Sequence, residues 1–538
     1  MFDLKIDKRY VTFESDPKNK NCVAVNFFLD GNTVEQIFTH LGENPSGYKY
    51  FVDMSEFKGK TLQVEIAPSP SQWKRMPEGD IELTPEDYDK LGSLVRVEDD
   101  FEDAPHYGEH LRPLVHFTTL RGWINDPNGL IYHDGKYHMY YQHCPGATYG
   151  MWDNNHWEHA VSDDLFNWTE LEPVMRYPHR ASGTGFHDRK TGKPCVACDY
   201  LNFESDDGGY HYKFKSVNNA GSGDPKILFH EESGRYISIT LRDITSYSFS
   251  SSEDLENWVH ESDIEQFREC PDMVKYKIEG TDEEKWVLNG GDGAYMIGQF
   301  DGHKFTPDEI DESRLDKYVN MLEATKDFSC KYNGAFVNTS LDDPWERFSA
   351  YAFQNFDSAP DGRKIRIAWY AVGFEQFGMP FTQAMTIPQE LKLRRTGFGV
   401  RLCAMPVCEI EGYYEETRDI EGDGVGVVFE EGRAFDTEIE TDVASFVKIG
   451  GYGISYNERE KKLHIIPDGE KEFTLPLVPI DGKIRIRAIF DVMMCEFFFG
   501  VGEVYCPLKL KKPANDGLCI NISGNGRIRA SKLKRSIK

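Results

Sequence analysis

Three segments place an acidic residue beside a proline and ahead of an apolar run. They are Trp123-Ile124-Asn125-Asp126-Pro127-Asn128-Gly129-Leu130, Gly223-Asp224-Pro225-Lys226-Ile227-Leu228-Phe229, and Glu269-Cys270-Pro271-Asp272 between Phe267 and Met273-Val274. Two carboxyl groups on either side of one bond can cleave a glycoside, one as an ionised nucleophile and the other as an acid that keeps its proton. Asp126, ringed by asparagines and strand-start N–H groups, has the surroundings of a carboxyl with a low pKa. Glu269, beside apolar neighbours, has those of a general acid with a raised one. Taken singly, each segment reads more simply as a turn, because Asn, Asp, Pro and Gly are the ordinary turn residues. Three such acids become a constellation only if the fold brings them into one funnel.

The flanking sequence predicts a fold able to do that. Leu130-Ile131-Tyr132 and Tyr137-His138-Met139-Tyr140-Tyr141 flank His133-Asp134-Gly135-Lys136, and Asp-Gly between alternating runs signals a hairpin. Similar turns fall at Ser233-Gly234, Asp301-Gly302 and Asp361-Gly362, and Ser162-Asp163-Asp164-Leu165-Phe166-Asn167-Trp168 is echoed by Ser252-Glu253-Asp254-Leu255-Glu256-Asn257-Trp258. Repetition of this kind suggests radially repeated four-stranded blades, whose equivalent strand starts converge on a central axis. Before this region, runs such as Val23–Leu29 and Thr61–Ile66 read as a small β unit, with a short helix opening at Thr84-Pro85 and an acidic run at 98–103. After it, Val425–Phe429 and Lys483–Phe490 read as strands of an antiparallel sandwich. The reading is all-β: an N-terminal unit over 1–108, a propeller over 109–405, and a linker and sandwich over 406–538.

The motifs Trp-Ile-Asn-Asp-Pro-Asn-Gly, Asp-Pro-Lys and Glu-Cys-Pro, in this order, closely resemble glycoside hydrolase family 32, the invertase, inulinase and levanase family. Tyr141-Gln142-His143, His156 to Ser162, Phe300-Asp301-Gly302, Ala350 to Gln354, Arg366 to Trp369, and Met379-Pro380-Phe381 with Thr386-Ile387-Pro388 are also similar, so the likeness runs over about 112–410. It implies a five-bladed propeller followed by a β-sandwich. It assigns Asp126 as nucleophile, Glu269 as acid/base and Asp224 as transition-state stabiliser in a retaining reaction on fructosides. It also implies that Asn125, Gln142, Trp152, Ser182 and Trp369 line the fructose pocket. The chain departs from the pattern at Gly223, where an arginine is usual, and at Ala181, Glu158 and Ser349, where Phe, Gly and Asp are common. These changes touch the fructose subsite. They keep open a fructosyltransferase on the same scaffold, or a carbohydrate-binding protein of weakened activity.

Composition narrows the partners. The chain carries 61 basic and 90 acidic residues for a net charge of −29, which disfavours nucleic acid and leaves a neutral sugar unpenalised. Aromatic residues make up 13% of it, with 27 Tyr and 9 Trp, side chains that stack on sugar C–H faces and supply polar tips. No metal or cofactor is expected: His143, His156 and His159 are near one another, but His-Glu-x-x-His and paired Cys-x-x-Cys motifs are missing. No run of about 18 apolar residues predicts a membrane span. Met1 to Lys8 lacks an apolar leader core, and the 11 cysteines are irregularly spaced. The expectation is a cytoplasmic protein with reduced thiols. For the N-terminal unit, packing on the propeller rim, sugar binding and dimer formation all stay open.

Overall fold

The computed structural model describes residues 1–15, 22–40, 48–68, 84–99, 106–148, 156–178, 180–221, 223–243, 245–265, 267–308, 334–335, 350–510, 513 and 516–536. Trp152, Ser349 and the acidic stretch 100–103 lie outside them. The described residues are almost all β. The α-helix Pro85–Gly92 starts where the Thr84-Pro85 pair predicts. No described helix is long and apolar enough to cross a membrane.

Among the described residues, five successive sheets, antiparallel apart from one short parallel strand, follow one another between Gly122 and Pro406. The first strands of these sheets are Gly122–His133, Gly183–His187, Lys226–His230, Asp272–Lys277 and Ala350–Asn355. The last sheet is stitched back to the first. Phe381–Thr382 runs parallel to Gly122-Trp123, and the N–H of Asp357 donates to the Leu130 carbonyl at 2.8 Å. Together with the sandwich that follows, this is a β-propeller plus β-sandwich.

The sequence echo is one turn used twice. Asp164 Oδ1 accepts the N–H groups of Phe166 and Asn167, and Asp254 Oδ1 those of Glu256 and Asn257. Leu165 and Leu255 both take positive φ, at 70° and 67°, and each following tryptophan donates its indole N–H to that leucine's carbonyl. Each copy joins the last two strands of its sheet. The predicted hairpin at Asp134-Gly135 also holds: both residues have positive φ, as a tight two-residue turn requires.

Two six-stranded sheets form the sandwich. In Lys483–Asp491, Ile484, Ile486 and Ala488 point into a core shared with Phe497, Ile454 and Ile520, while Lys483 and Arg485 face outward onto Asp442 and Glu440. This is the period-two division of a strand with one wet face. The sandwich is bolted to the propeller by a buried His116. Its Nδ1 lies 2.9 Å from Asp491 Oδ2 and its Nε2 2.8 Å from Glu496 Oε1. Burial works against the imidazolium, but the two carboxylates outweigh it and raise the His116 pKa to about 9.

The N-terminal residues form a four-stranded and a three-stranded sheet around a core of Phe13, Val25, Phe27, Val52 and Leu62. This unit packs on the first propeller sheet, where Ala24 and Phe38 meet Trp123, Cys144 and Ala147.

Candidate active site

The Asn-Asp-Pro-Asn motif lies inside the strand Gly122–His133 rather than ahead of it. Pairing with Lys136–Cys144 slips between Ile124 and Pro127, and again between Asn128 and Ile131. Bulges are where a strand tolerates Pro127, which has no N–H for the ladder, and they re-aim the side chains beside it. Asp126 is 8% exposed. Asp224 and Glu269 each stand just before the first strand of their sheets, as expected. Asp224 and Cys270 both take positive φ, 42° and 50°. Such backbone is costly for residues other than glycine, and it gathers at functional sites.

These bends bring the acids together. Cys270 Sγ lies 3.8 Å from Asp126 Oδ2 and 3.8 Å from Asp224 Oδ2, and the Cys270 N–H donates to Asp224 at 3.2 Å. Glu269, next in the chain, is exposed, and its Oε2 accepts the Tyr351 hydroxyl at 2.8 Å. The Glu269 carbonyl is pinned by the Gly291 N–H at 2.8 Å and the Tyr247 hydroxyl at 3.0 Å. Tyr351 falls in the family-like segment Ala350 to Gln354, but nothing in that sequence, or around Tyr247, points to a contact with Glu269. The positive φ of the neighbouring Ala352, 55°, is a structural signal only.

Asp126 corrects one expectation. Its donor is Ser182, whose hydroxyl reaches Oδ2 at 2.6 Å, rather than the flanking asparagines. Asn128 instead donates to the Asp126 carbonyl at 3.2 Å and accepts from the Gly183 N–H. The Asp126 pKa is not low but raised to about 7. Burial is the largest cause, Ser182 opposes it, and the negative charges of Asp224 and Glu269 add to it. Asp224 is raised to about 6 by burial and by Glu269, against the Cys270 N–H. Local sequence shows the amides beside Asp126 but not the carboxylates that arrive from other sheets. Glu269 corrects a second expectation, because it is exposed rather than enclosed by apolar side chains. Cys270 is no thiolate: burial and the two aspartates push its pKa up.

Of the residues predicted to line the pocket, Gln142 and Ser182 join the site. Gln142 Nε2 donates to Ser182 Oγ at 3.1 Å. Asn125 is fully buried, and neither its amide oxygen nor its nitrogen has a partner among the described residues. Trp369 packs with Cys270, Tyr351 and Ala352, its indole N–H likewise buried and unpartnered among the described residues. Trp152 lies outside the described residues. Gly223 has φ 92°, and a Cβ there would meet Leu241 Cδ1 at 3.1 Å. This backbone excludes a side chain such as arginine without local rearrangement.

Residues 116–187 and 211–406 match the model of the glycosyl hydrolases family 32 N-terminal domain. The levanase of Bacillus subtilis (strain 168) is 26% identical over 518 residues, with 81% of this chain and 71% of that protein covered. An extracellular exo-inulinase of Meyerozyma guilliermondii is 30% identical over 313 residues, covering 48% of this chain and 54% of its own. Among solved structures, the exo-inulinase of Aspergillus awamori superposes with a TM-score of 0.65 at 19% identity, covering 80% of this chain and 99% of that one.

Proposed function

Because this chain belongs to glycosyl hydrolase family 32, we propose that it releases fructose from sucrose, fructo-oligosaccharides or fructans through a covalent fructosyl-enzyme. The observation that carries the reading is the meeting of Asp126, Asp224 and the Glu269-Cys270 turn around one sulfur atom. Asp126 attacks the anomeric carbon while Glu269, held by Tyr351, protonates the departing oxygen. Water then attacks the ester, Glu269 takes its proton, and two inversions give net retention. Asp224 binds fructose hydroxyls, and those hydrogen bonds strengthen as the ring flattens toward the oxocarbenium ion. The unpartnered amide of Asn125 suits a sugar hydroxyl, since buried polar groups are almost always satisfied.

In this reading the five sheets are the five blades, and the units run over 1–108, 109–405 and 406–538. Gln142, Ser182 and Trp369 line the fructose subsite with Asn125. The free thiols of Cys195, Cys198, Cys270, Cys403 and Cys495 support a reducing, cytoplasmic location. Recovery of the activity from the culture medium of the native organism would contradict that location. An intracellular site favours imported short fructosides. The test is a panel of sucrose, short fructo-oligosaccharides, inulin and levan, with products separated to score transfer against hydrolysis. Fructose release fastest from the short substrates is expected, and no release from any of them ends the hydrolase reading.

A further inference from the structure

A carboxylate from the N-terminal unit reaches into the propeller. Glu35 is 0% exposed. Its Oε1 lies 2.9 Å from His156 Nε2, and its Oε2 accepts Arg176 Nη1 at 2.9 Å. Arg176 also donates to the Asp53 carbonyl at 2.6 Å, again within the N-terminal unit. Burial pushes the Glu35 carboxyl up, but His156 and Arg176 outweigh it and hold it at about 2, while His156 is raised to about 9. The ion triad is therefore fully charged near neutral pH.

Both cations stand at strand ends that lead toward Gln142 and Ser182. His156 opens the strand His156–Ser162 and pairs in register with His143, so Trp157 lies opposite Gln142. Glu158 on this strand also lies 3.2 Å from His143 Nδ1. Arg176 directly follows the strand Trp168–Met175, on the path that leads to Ser182. The two paths are tied to each other, since Trp157 Nε1 donates to the Ala181 carbonyl at 3.0 Å. They end on the same hydroxyl: Gln142 donates to Ser182, and Ser182 donates to Asp126. A second contact holds the end of the neighbouring strand. Thr39 Oγ1 donates to the Gly146 carbonyl at 2.6 Å, and a Cβ on Gly146 would sit 2.5 Å from the Phe38 carbonyl.

We propose that the N-terminal unit is a working part of the reaction site, with Glu35 a positioning residue that holds, through His156, the strand paired with that of Gln142 and, through Arg176, the segment leading to Ser182, whose hydroxyl reaches Asp126. The proposal rests on Asp126 being the nucleophile. It gives a role to a part of the chain that precedes the family-model match at residue 116.

The test is the pH dependence of kcat/KM on sucrose for full-length Glu35→Gln and Thr39→Val. Rates are taken well below each melting temperature, and competent sites are counted by the pre-steady-state burst. A loosened Ser182 hydrogen bond leaves Asp126 facing Asp224 and Glu269 with less support for its charge. The acid limb then moves to higher pH by about half a unit, and kcat/KM below the limb falls about threefold. An unchanged limb in folded protein overturns the proposal. So does a loss confined to the number of competent sites, which is what a merely structural role gives. Thr39→Val decides the matter if Glu35→Gln does not fold. Asp126→Asn is run beside them: wild-type turnover there refutes the nucleophile assignment, whereas an inactive Asp126→Asn with unshifted Glu35 and Thr39 variants refutes the positioning role alone.

Discussion

Replacing Ser182 with alanine removes the 2.6 Å hydrogen bond to Asp126 Oδ2 and the acceptor that Gln142 uses at 3.1 Å. A hydrogen bond to a charged group contributes about 1.5–3 kcal/mol net, and about 1.4 kcal/mol corresponds to one pH unit of pKa. Asp126 already stands near 7 because burial and two neighbouring carboxylates disfavour its anion. The hydroxyl is the larger opposing contribution, ahead of the Cys270 thiol, and its loss moves Asp126 upward by roughly one to two pH units. Asp126 must be ionised to attack, so the acid limb of kcat/KM moves the same way. At a pH below both limbs the ionised fraction falls about 10- to 100-fold, while at high pH the deficit shrinks toward whatever Ser182 adds in binding. The assay is kcat/KM on sucrose against pH for both enzymes, with the folded fraction checked by circular dichroism. A Ser182→Ala acid limb that overlays the wild-type limb would refute the electrostatic role given to this hydroxyl.

Tyr351→Phe removes the 2.8 Å hydrogen bond to Glu269 Oε2; kcat should fall about tenfold with little change in KM, as for loss of a transition-state interaction. A KM effect alone would contradict this. Gly223→Ala forces a Cβ into backbone at φ 92°, against Leu241; denaturant unfolding should show a loss of about 1–2 kcal/mol, and an unchanged midpoint would show that the loop yields freely. His116 has a folded pKa of about 9 against an ordinary 6.5. Its contribution is fully present below pH 6.5 and is lost as pH rises through 9, at most about 3 kcal/mol. Stability should therefore decline between these values and decline less in His116→Gln, and equal slopes would dismiss the bolt.

How far the sequence carried depended on whether the determining contacts were local. The Asp-Gly hairpins and the paired Ser-x-Asp-Leu-x-Asn-Trp turns are short-range devices, satisfied by Asp164, Asp254 and the following tryptophans within a few residues. They were legible as turns and strands. The acids were legible through their motifs. Their electrostatics were not, because Asp126 is governed by Ser182, Asp224 and Glu269, each delivered by another sheet. Tyr351 lies in the family-like segment Ala350 to Gln354, but its contact is not legible there: nothing in Ala350-Tyr351-Ala352 shows that the backbone bends and sends a phenol to Glu269. Gly223 stands where an arginine is usual, and its φ of 92° shows a backbone that favours glycine. The pairing of Glu35 with His156 and Arg176 joins residues more than a hundred positions apart and left no local trace.

The nucleophile is tested most directly by trapping. In Glu269→Ala, an activated fructosyl fluoride needs no acid to form the ester, but the missing base slows its hydrolysis. Peptide mass spectrometry of the acid-quenched reaction should then find a hexosyl ester on Asp126. An ester on Asp224 or elsewhere, or product of inverted configuration with no ester at all, would contradict the account.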